Sequence, residues 1–598
     1  MHRKALIRRL FRKNAFWFLG AFFCTVAYVI LDYIIPLVLA ETLDHYLAGK
    51  PSVLPGVVKQ WIGVYGDAEY MVRHLYLVGL AVIGLNVLNG LFSYGKGRFQ
   101  AQAGENVARD LRNLLYEHIQ KLPFSYHMRA ETGDLVQRCT SDVDTVRRFL
   151  SVQLMSVINA VFMIVIALTV LFRRNIRLTL LSMLMVPALF VFAFLFFKWV
   201  VKAFRASDEA EGRMSAVLQE NLTGVRVVRA FGRQAYEIDK FQEKLTDLTN
   251  KNFRVNLLLA IYWAAGDFMS MTQSMITLLV CLSAAISGEI TLGVLVIYTT
   301  YVGKLLFPIR QLGRILSDAG KSMVALDRIG EILDEPAEPE EKNALKPDLH
   351  GDIVFSHVTF GYGEEPVLKD FSMTVRHGET VAVLGATGSG KSTLAYLLQR
   401  LFPVTEGDIT IGGVSISRID RSWLRQHVGL ILQEPFLYSR TIRENVAIAR
   451  PSVTESETDR AVRDAGALSF IMESEKGFDT VVGERGVTLS GGQKQRLAIA
   501  RTLLKDNSIL IFDDSLSAVD TQTDAEIRAA LKARRQDVTT IIISHRINTL
   551  MDADRIFVIE DGRVTQQGTH DELIHEDGLY SRVYQIQTSL ENELLSEV

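Results

Sequence analysis

Cysteine is scarce in this 598-residue chain, which has only Cys24, Cys139 and Cys281. The three are scattered and lack the paired spacing of a metal site or the pattern of a disulfide framework. A dominant charge of one sign is also missing, since the formal net charge is −2. This balance gives no basis for nucleic-acid binding, and we expect no nucleic-acid partner.

Apolar residues are abundant instead. Hydrophobic residues make up 48% of the chain, which includes 31 Phe and has a mean hydropathy of +0.17. Such a long and apolar chain is typical of a membrane protein with a soluble half. A helix crosses the hydrocarbon core with about 20 mainly apolar residues. Six segments meet this requirement: 16–40, 75–98, 150–172, 177–200, 257–286 and 292–317.

The first apolar run is too long for a signal peptide, and a second hydrophobic segment follows it, so we expect it to be a membrane span. Basic residues crowd ahead of it and predict a cytoplasmic N-terminus: Arg3, Lys4, Arg8, Arg9, Arg12 and Lys13. Six spans then return the C-terminus to the cytoplasm. Three arginines between the third and fourth spans run against this topology, which the first loop usually dominates: Arg173, Arg174 and Arg177.

Polar residues inside the spans are the only indication of a cargo. Asp32 and Asp267 are costly in lipid, by about 2.5–3.5 kcal/mol at mid-depth, so we expect both to face the bundle interior or a wet cavity. Asn86, Asn89 and Asn159 are further candidates. A cationic or amphipathic cargo would suit the aspartates. Hydrogen bonding between helices explains the same residues without a cargo.

A glycine-rich loop follows the apolar strand Thr380–Leu384 and fits the pattern G-x-x-x-x-G-K-[ST]. Its glycines let backbone N–H groups face phosphate oxygens, and the next helix presents its positive end. Lys391 supplies a charge for the outer phosphates, and the Ser392 hydroxyl suits Mg²⁺. The strand, loop and helix order favours this interpretation over a simple turn. The loop residues are Gly385, Ala386, Thr387, Gly388, Ser389, Gly390, Lys391, Ser392 and Thr393.

Two further motifs lie downstream, the string LSGGQ at Leu489–Gln493 and the strand ILIFDD at Ile509–Asp514. With the phosphate loop they make residues from about 340 to 585 resemble the nucleotide-binding domain of an ATP-binding cassette (ABC) protein. The resemblance implies ATP and Mg²⁺ as cofactors. It implies that Tyr362 stacks on adenine, that Gln433 and Asp513 contact Mg²⁺, and that His545 contacts the terminal phosphate. It also identifies Ser517–Asp520 with the loop that reaches a second cassette.

In this family each ATP lies between two cassettes, and LSGGQ faces the nucleotide of the other copy. Ser490, Gly491, Gly492 and Gln493 would therefore complete a partner's site, through a hydroxyl, backbone N–H groups and a positive helix end. No internal repeat of the cassette or of the set of spans is visible in the chain. A full transporter therefore needs a second half-transporter chain.

Asp514 departs from the family pattern, which normally places Glu after the Walker B aspartate, here Asp513. That carboxylate orients or deprotonates the attacking water. Aspartate is shorter by one methylene, and a displacement of about 1 Å can reduce a rate about a hundredfold. We expect this chain to bind ATP and to hydrolyse it slowly at its own site, as half of a heterodimer whose partner has Glu. A backbone shift that restores the normal rate is the alternative.

Between the spans, the polar stretches 99–145 and 201–255 keep a helical period, and we expect them to extend into the cytoplasm. The family resemblance implies that each pair ends in a short transverse helix resting on a cassette. The best candidates are Pro123–Arg138 and Asn221–Gln234.

The predicted fold is an all-α membrane domain of six helices followed by an α/β cassette domain with the phosphate loop. The domain bounds are 1–330 for the transmembrane domain, 331–350 for the linker, 351–585 for the cassette and 586–598 for a frayed tail. The predicted function is ATP-driven export of a small amphipathic molecule, drug, lipid or peptide across the cytoplasmic (inner) membrane. A non-transporting membrane ATPase or regulator, and a homodimeric exporter with slow hydrolysis, are the alternatives.

Overall fold

The computed structural model describes residues 3–50, 68–339, 343–505, 507–533 and 538–596. These residues pack into two units. The N-terminal unit comprises the residues up to Lys121 together with Ala130–Pro336. The C-terminal unit comprises Leu122–Arg129 together with the residues from Ala337 onward. A short segment that lies between two membrane helices in the sequence is thus part of the C-terminal unit.

The N-terminal unit is entirely helical over its described residues. Its helices are α1 (Arg3–Lys13), α2 (Ala15–Glu41), α3 (Ala68–Arg73), α4 (Leu75–Ile119), α6 (Thr132–Gln137), α7 (Val143–Arg148), α8 (Leu154–Arg174), α9 (Ile176–Leu181), α10 (Val186–Thr223), α11 (Val225–Ala230), α12 (Gln234–Ile286) and α13 (Leu292–Asp334). The helix α5 (Phe124–Arg129) belongs to the C-terminal unit. Wider π-helical turns occur at Thr42–Leu47, Arg138–Asp142 and Phe149–Gln153.

Six helical stretches among the described residues are long and apolar enough to cross a bilayer: Ala15–Leu47, Leu75–Ile119, Thr132–Arg174, Ile176–Thr223, Gln234–Ile286 and Leu292–Ile309. They contain the six spans expected from the sequence, apart from the last residues of the sixth span, over which α13 continues. Several stretches are much longer than the roughly 20 residues that a bilayer requires. The polar stretches between spans are therefore continuations of the membrane helices. The six-helix prediction is confirmed.

Both segments expected to hold transverse helices contain short helices. The first contains α5 and α6, separated by Ala130 and Glu131, and the second contains α11. Phe124 of α5 packs its ring against Tyr396 and Phe402, with centroid distances of 5.8 and 5.7 Å. These aromatic contacts fix α5 within the C-terminal unit.

The C-terminal unit combines two sheets with helices over its described residues. The strands are β1 (Ile353–Phe360), β2 (Leu368–Val375), β3 (Thr380–Gly385), β4 (Glu406–Ile411), β5 (Val414–Ser415), β6 (Val428–Ile431), β7 (Ile509–Asp513), β8 (Thr539–Ile543), β9 (Arg555–Glu560) and β10 (Arg563–Gly568). The helices are α14 (Lys391–Leu398), α15 (Arg421–His427), α16 (Ile442–Ala447), α17 (Glu455–Asp464), α18 (Leu468–Glu473), α19 (Gly491–Leu503), α20 (Thr521–Ala533), α21 (Ile547–Leu550), α22 (His570–Leu573) and α23 (Leu579–Ser596).

The larger sheet of the described residues has the order β10-β9-β3-β8-β7-β6, and only its β10 edge is antiparallel. Its central strands β7 and β8 are buried at every position, as expected for parallel strands covered on both faces. The smaller sheet is antiparallel, with the order β2-β1-β4-β5. Ligands bind open parallel sheets at the carboxyl ends of their strands. Ligand-binding residues are therefore expected in the segments after β3, β6, β7 and β8.

The C-terminal end of the chain differs from the sequence expectation. The residues from 586 onward were expected to be a frayed tail, but α23 continues through them to Ser596. The first half of this helix is anchored, since Tyr580 is fully buried among Leu550, Val558 and Leu573. Anchoring of that half allows the helix to propagate into the polar residues that follow.

Candidate functional site

The phosphate loop connects β3 to the start of α14. Gly388 and Gly390 have φ angles of +85° and +102°, a backbone region that favours glycine. A Cβ on Gly385 would lie 2.6 Å from the Ser389 hydroxyl and against the carbonyl of Ile559, and one on Gly390 would lie 2.7 Å from Leu368. The loop therefore requires glycine at these positions. A side chain at Gly385 or Gly390 would collide with neighbouring atoms, so the tight turn of the loop depends on glycine there.

Two side chains of this loop, those of Lys391 and Ser389, differ in their hydrogen bonding. The Lys391 ammonium donates to the carbonyls of Gly385 and Ala386, at 2.8 and 2.7 Å. Burial lowers the pKa of Lys391, while the nearby Asp513 and Asp514 oppose that shift. The buried Ser389 hydroxyl has no hydrogen-bond partner among the described residues. A buried polar group of this kind normally has a partner, so this cradle fits an oxygen-rich ligand such as a phosphate.

Oxygen ligands meet where β7 ends beside the start of α14. The Ser392 hydroxyl donates to Asp513 at 2.8 Å. Asp513 is 3% exposed, and burial raises the pKa of its carboxyl group. After β6, Gln433 donates to the Asp514 carboxylate at 3.2 Å. A hydroxyl, a carboxylate and an amide are hard oxygen donors, and this set fits Mg²⁺.

Asp514 occupies an unusual backbone conformation, with a φ of +45°. Asp is one of the few residues other than glycine that enters this left-handed region routinely. Its N–H donates to the carbonyl of Ile543 at 2.8 Å, which ties β7 to the end of β8. One carboxylate oxygen accepts from Gln433, and the other is buried without a partner among the described residues.

The segment after β8 connects several parts of the site. Part of the His545 ring reaches solvent, but partial burial and the nearby Lys391 lower its pKa, which Asp514 opposes. The next residue, Arg546, donates to the carbonyls of Ser517 and Val519, at 2.5 and 3.3 Å. The Ser517 hydroxyl in turn donates to the carbonyl of Asp514 at 2.7 Å. The structure thus joins the segment of His545, the predicted loop Ser517–Asp520 (the SAVD loop) and Asp514 in one network.

The LSGGQ motif begins α19 with a capping box. The Ser490 hydroxyl accepts from the backbone N–H of Gln493, and the Gln493 side chain accepts from the N–H of Ser490, at 3.3 and 2.9 Å. Both partners remain at least partly exposed, and Gly491 has open space beside it. A Cβ on Gly492 would instead lie 2.8 Å from the carbonyl of Ala518. The motif therefore presents a helix N-terminus to solvent while it packs on the SAVD loop.

Tyr362 forms the aromatic wall next to the phosphate loop. Its hydroxyl is 3.1 Å from that of Thr393, and its ring packs edge-on against Phe402 and Phe360, with centroid distances of 5.1 and 5.2 Å. The side chain is nevertheless 48% exposed. A ring that is held at its edges and open to solvent suits stacking with a planar ligand.

Sequence reasoning missed two residues of this site, Arg546 and Gln587. Arg546 could have been noticed because it directly follows His545. The side chain of Gln587 hydrogen-bonds to the same segment. No sequence pattern indicates this role, since Gln587 lies in residues that the sequence predicts to be frayed.

In the membrane helices, Asp32 has a cationic partner. The Lys304 ammonium lies 2.6 Å from the Asp32 carboxylate and also donates to its carbonyl at 2.8 Å. Both side chains are 26% exposed, and the ammonium lies 5.3 Å from the centre of the Tyr33 ring. Asp32 is therefore half of a neutral pair between α2 and α13.

The other polar candidates have contacts of their own. Asp267 is exposed in the single chain. Asn86 donates to the carbonyl of Val82 in its own helix, at 2.8 Å, while the buried Asn89 donates to that of Tyr28 at 3.5 Å. Asn159 lies 3.2 Å from the sulfur of Met163. Most of these contacts fit the expectation of hydrogen bonds within and between helices.

Comparison with known families agrees with this division of the chain. The family described as the ABC transporter transmembrane region matches residues 17–309, and the family described as ABC transporter matches residues 368–517. The second match includes the phosphate loop, LSGGQ and the strand that ends at Asp513.

Similar proteins match most of the length of the chain. It is 33% identical to the uncharacterised ABC transporter ATP-binding protein YknU of Bacillus subtilis, over 96% of this chain and 95% of that one. It is also 33% identical to YgaD of the same organism, provisionally named a multidrug export ATP-binding/permease protein, over 94% and 96%. The structure of a bacterial Atm1-family ABC exporter with ATP bound superposes with a TM-score of 0.81 at 25% identity, over 96% of this chain and 99% of that one. The chain therefore belongs to the ABC exporter family, as a half-transporter that fuses six membrane-spanning helices to one ATP-binding cassette.

Proposed function

We propose that this half-transporter exports a small amphipathic molecule, in the class of drugs, lipids or peptides, and that ATP binding and hydrolysis at its cassette drive the export. The observation that supports this most directly is the convergence of Lys391, Ser392, Asp513, Gln433 and Asp514 at one sheet edge. The chain fuses this site to six membrane helices. The name of YgaD, which refers to multidrug export, supports the cargo class.

In the proposed site, the phosphate loop and Lys391 hold the phosphates and Tyr362 stacks on the adenine. Ser392, Asp513 and Gln433 hold Mg²⁺, which neutralises charge on the phosphates when it is bound. Asp514 orients the attacking water, with its carboxylate positioned by Gln433. His545 faces the terminal phosphate as a neutral imidazole, since burial and Lys391 lower its pKa.

A second chain completes the site. The Ser490 hydroxyl and the first N–H groups of α19 are presented to solvent, and we propose that they face the ATP of a partner's cassette. Asp514 supports a heterodimer, because its short side chain makes hydrolysis slow at this chain's own site. The partner then has Glu at the corresponding position and hydrolyses its ATP against the LSGGQ motif of this chain.

The transmission of motion begins at α5, which is part of the cassette unit although the chain on both sides of it belongs to the membrane unit. We propose that α5 carries the movement of the cassette to α4 and α6, and that the cavity alternates between inward and outward access. Both termini lie in the cytoplasm in this arrangement, in agreement with the basic residues of α1.

The Asp32–Lys304 pair restricts the charge that we expect the cargo to have. A lone intramembrane carboxylate would favour cations, but this one is neutralised by an ammonium at 2.6 Å. Recognition is then based on apolar surface with a few polar contacts, so an amphipathic cargo fits better than a simple cation.

Transport by the full chain in proteoliposomes tests the proposal. Vesicles with outward-facing cassettes should accumulate a fluorescent amphipathic dye, a labelled lipid or a labelled peptide when Mg-ATP is added. Lys391→Ala, which removes the phosphate-binding charge, should abolish accumulation. If ATP is hydrolysed with no movement of any cargo class, in the presence or absence of a partner chain, the regulator alternative is correct.

A further inference from the structure

The C-terminal helix α23 touches the segment that contains His545 through one side chain. The Gln587 amide nitrogen donates to the carbonyl of His545 at 2.8 Å, and its amide oxygen accepts from the N–H of Ile547 at 2.9 Å. One side chain therefore satisfies an acceptor and a donor on both sides of Arg546. This double contact restricts the position of the backbone on which the His545 ring is mounted.

The N–H of Ile547 has a particular need for this partner. It is the first residue of α21, and the first N–H groups of any helix lack partners within the helix. The preceding residue, Arg546, provides no side-chain cap, and its guanidinium instead binds the SAVD loop. Gln587 thus caps α21 from a different helix.

The position of Gln587 on α23 is itself fixed. Tyr580, Val583 and Tyr584 precede it at helical spacing and form one face with it. The Tyr580 ring is fully buried, and its hydroxyl lies 2.7 Å from His570. Val583 and Tyr584 pack against the buried cluster that includes Ile547 and Leu550. The helix therefore holds Gln587 against the His545 segment from an anchored base.

We infer that Gln587 is a positioning residue for His545, through which the C-terminal helix sets the rate of ATP hydrolysis. This rests on the proposed role of His545 at the terminal phosphate. Because Arg546 links the same segment to Ser517 and Val519, the position of α23 is also transmitted to the SAVD loop. The end of the chain then acts as a regulatory element of the ATP site.

Two substitutions separate the contacts. Gln587→Ala removes both hydrogen bonds, whereas Gln587→Glu keeps the acceptor for Ile547 but cannot donate to His545 when ionised. Gln585→Ala is the matched control, since Gln585 is exposed on the same helix. ATPase kinetics of the full chain in lipid nanodiscs, with the Walker B glutamate of any partner chain replaced by Gln so that only this chain's own site hydrolyses ATP, should show a kcat about three- to tenfold lower for both Gln587 variants, the effect of about one hydrogen bond. KM for ATP and the thermal midpoint of the Glu variant should be unchanged, and Gln585→Ala should match the parent protein.

His545→Ala provides the decisive background. If Gln587 acts through His545, Gln587→Glu should have no further effect on kcat once His545 is replaced. The inference is wrong if the Glu variant has the parent kcat, or if it lowers kcat equally in both backgrounds. If His545→Ala itself retains the parent kcat, the proposed role of His545 fails and the inference fails with it. If Gln587→Ala does not fold, the Glu variant and the double variant still decide the outcome.

Discussion

Asp514 combines a short carboxylate with a backbone that few residues adopt. Its φ of +45° suits aspartate better than glutamate, yet its carboxylate reaches only as far as the amide of Gln433 in the network around it. We therefore expect the shorter carboxylate to position the attacking water poorly. Binding of ATP depends on other residues and should be unaffected.

Asp514→Glu should raise kcat for ATP by about ten- to a hundredfold, because the added methylene brings the carboxylate about 1 Å closer to the water. A small decrease in thermal midpoint should accompany it, owing to the positive φ. Steady-state ATPase activity at saturating Mg-ATP is measured with the Walker B glutamate of any partner chain replaced by Gln, so that the rate reports on this chain's own site. Asp514→Asn controls for charge and should lower kcat below that of the parent. An unchanged rate for the Glu variant would show that the backbone already compensates for the shorter side chain.

The two central glycines of LSGGQ differ in what surrounds them. A methyl group on Gly492 would lie 2.8 Å from the backbone carbonyl of Ala518, whereas one on Gly491 would meet nothing within 4 Å. Gly492→Ala should therefore destabilise the chain by about 1–3 kcal/mol through overpacking. Gly491→Ala, the matched control, should leave the thermal midpoint unchanged or slightly raised. Thermal unfolding of the two purified variants in detergent compares them, and equal midpoints would contradict the packing argument.

At the scale of helices, the fourth membrane stretch is interrupted between Leu181 and Val186. The side chain of Gln273, which is fully buried in α12, forms hydrogen bonds with backbone groups at this interruption. Its amide nitrogen donates to the carbonyl of Ser182 at 2.6 Å, and its oxygen accepts from the N–H of Met185 at 2.7 Å. Interrupted helices are tolerated in membranes where neighbours satisfy the backbone in this way.

Gln273→Leu should destabilise the membrane domain by about 1–3 kcal/mol, because it removes the partner of the Met185 N–H and leaves the Ser182 carbonyl with only the longer contact to the Thr277 hydroxyl at 3.4 Å. The expected result is a lower thermal midpoint and a larger fraction of aggregated protein in detergent, measured by fluorescence-detected gel filtration after heating. Thr272→Val changes a half-buried neighbour whose hydroxyl donates to the carbonyl of Phe268 in the same helix, and it should behave as the parent. A Leu variant as stable as this control would mean that water or a local rearrangement replaces the amide.

These helices also show how far the sequence could predict the structure. The six spans and the phosphate loop follow from hydropathy and from a contiguous motif, which are local properties. The pairing of Asp32 with Lys304 and the capping of α21 by Gln587 join residues that are distant in the sequence. The continuation of α23 through the residues expected to be frayed was unpredicted for the same reason, since Tyr580 anchors the helix against Leu550, Val558 and Leu573, which lie elsewhere in the sequence.

For the whole molecule, the LSGGQ motif and Asp514 have opposite consequences for ATP hydrolysis: the motif supports it at a partner's site, and Asp514 disfavours it at this chain's own site. The motif is intact and capped, so it can complete a partner's site, while we expect Asp514 to make hydrolysis slow at this chain's own site. A homodimer would place two slow sites together. A heterodimer with a partner that has Glu would pair one slow site with one efficient site, which is the assembly that these residues favour.

The assembly can be tested by cross-linking in a background in which the native Cys24, Cys139 and Cys281, all of which precede the cassette, are replaced by Ser. A chain with both Ser389→Cys and Ser490→Cys places one thiol in the phosphate loop and one in LSGGQ, and these two motifs face each other only between chains. Under oxidising conditions with ATP, we expect no covalent dimer of the chain alone. With a partner half-transporter whose Walker B strand ends in Asp-Glu and which has cysteines at the same two motif positions, a cross-linked heterodimer should form, and the mixed assembly without the added cysteines should have a higher ATPase activity than the chain alone. Efficient cross-linking of the chain to itself, with ATPase activity equal to that of the mixed assembly, would instead establish a functional homodimer.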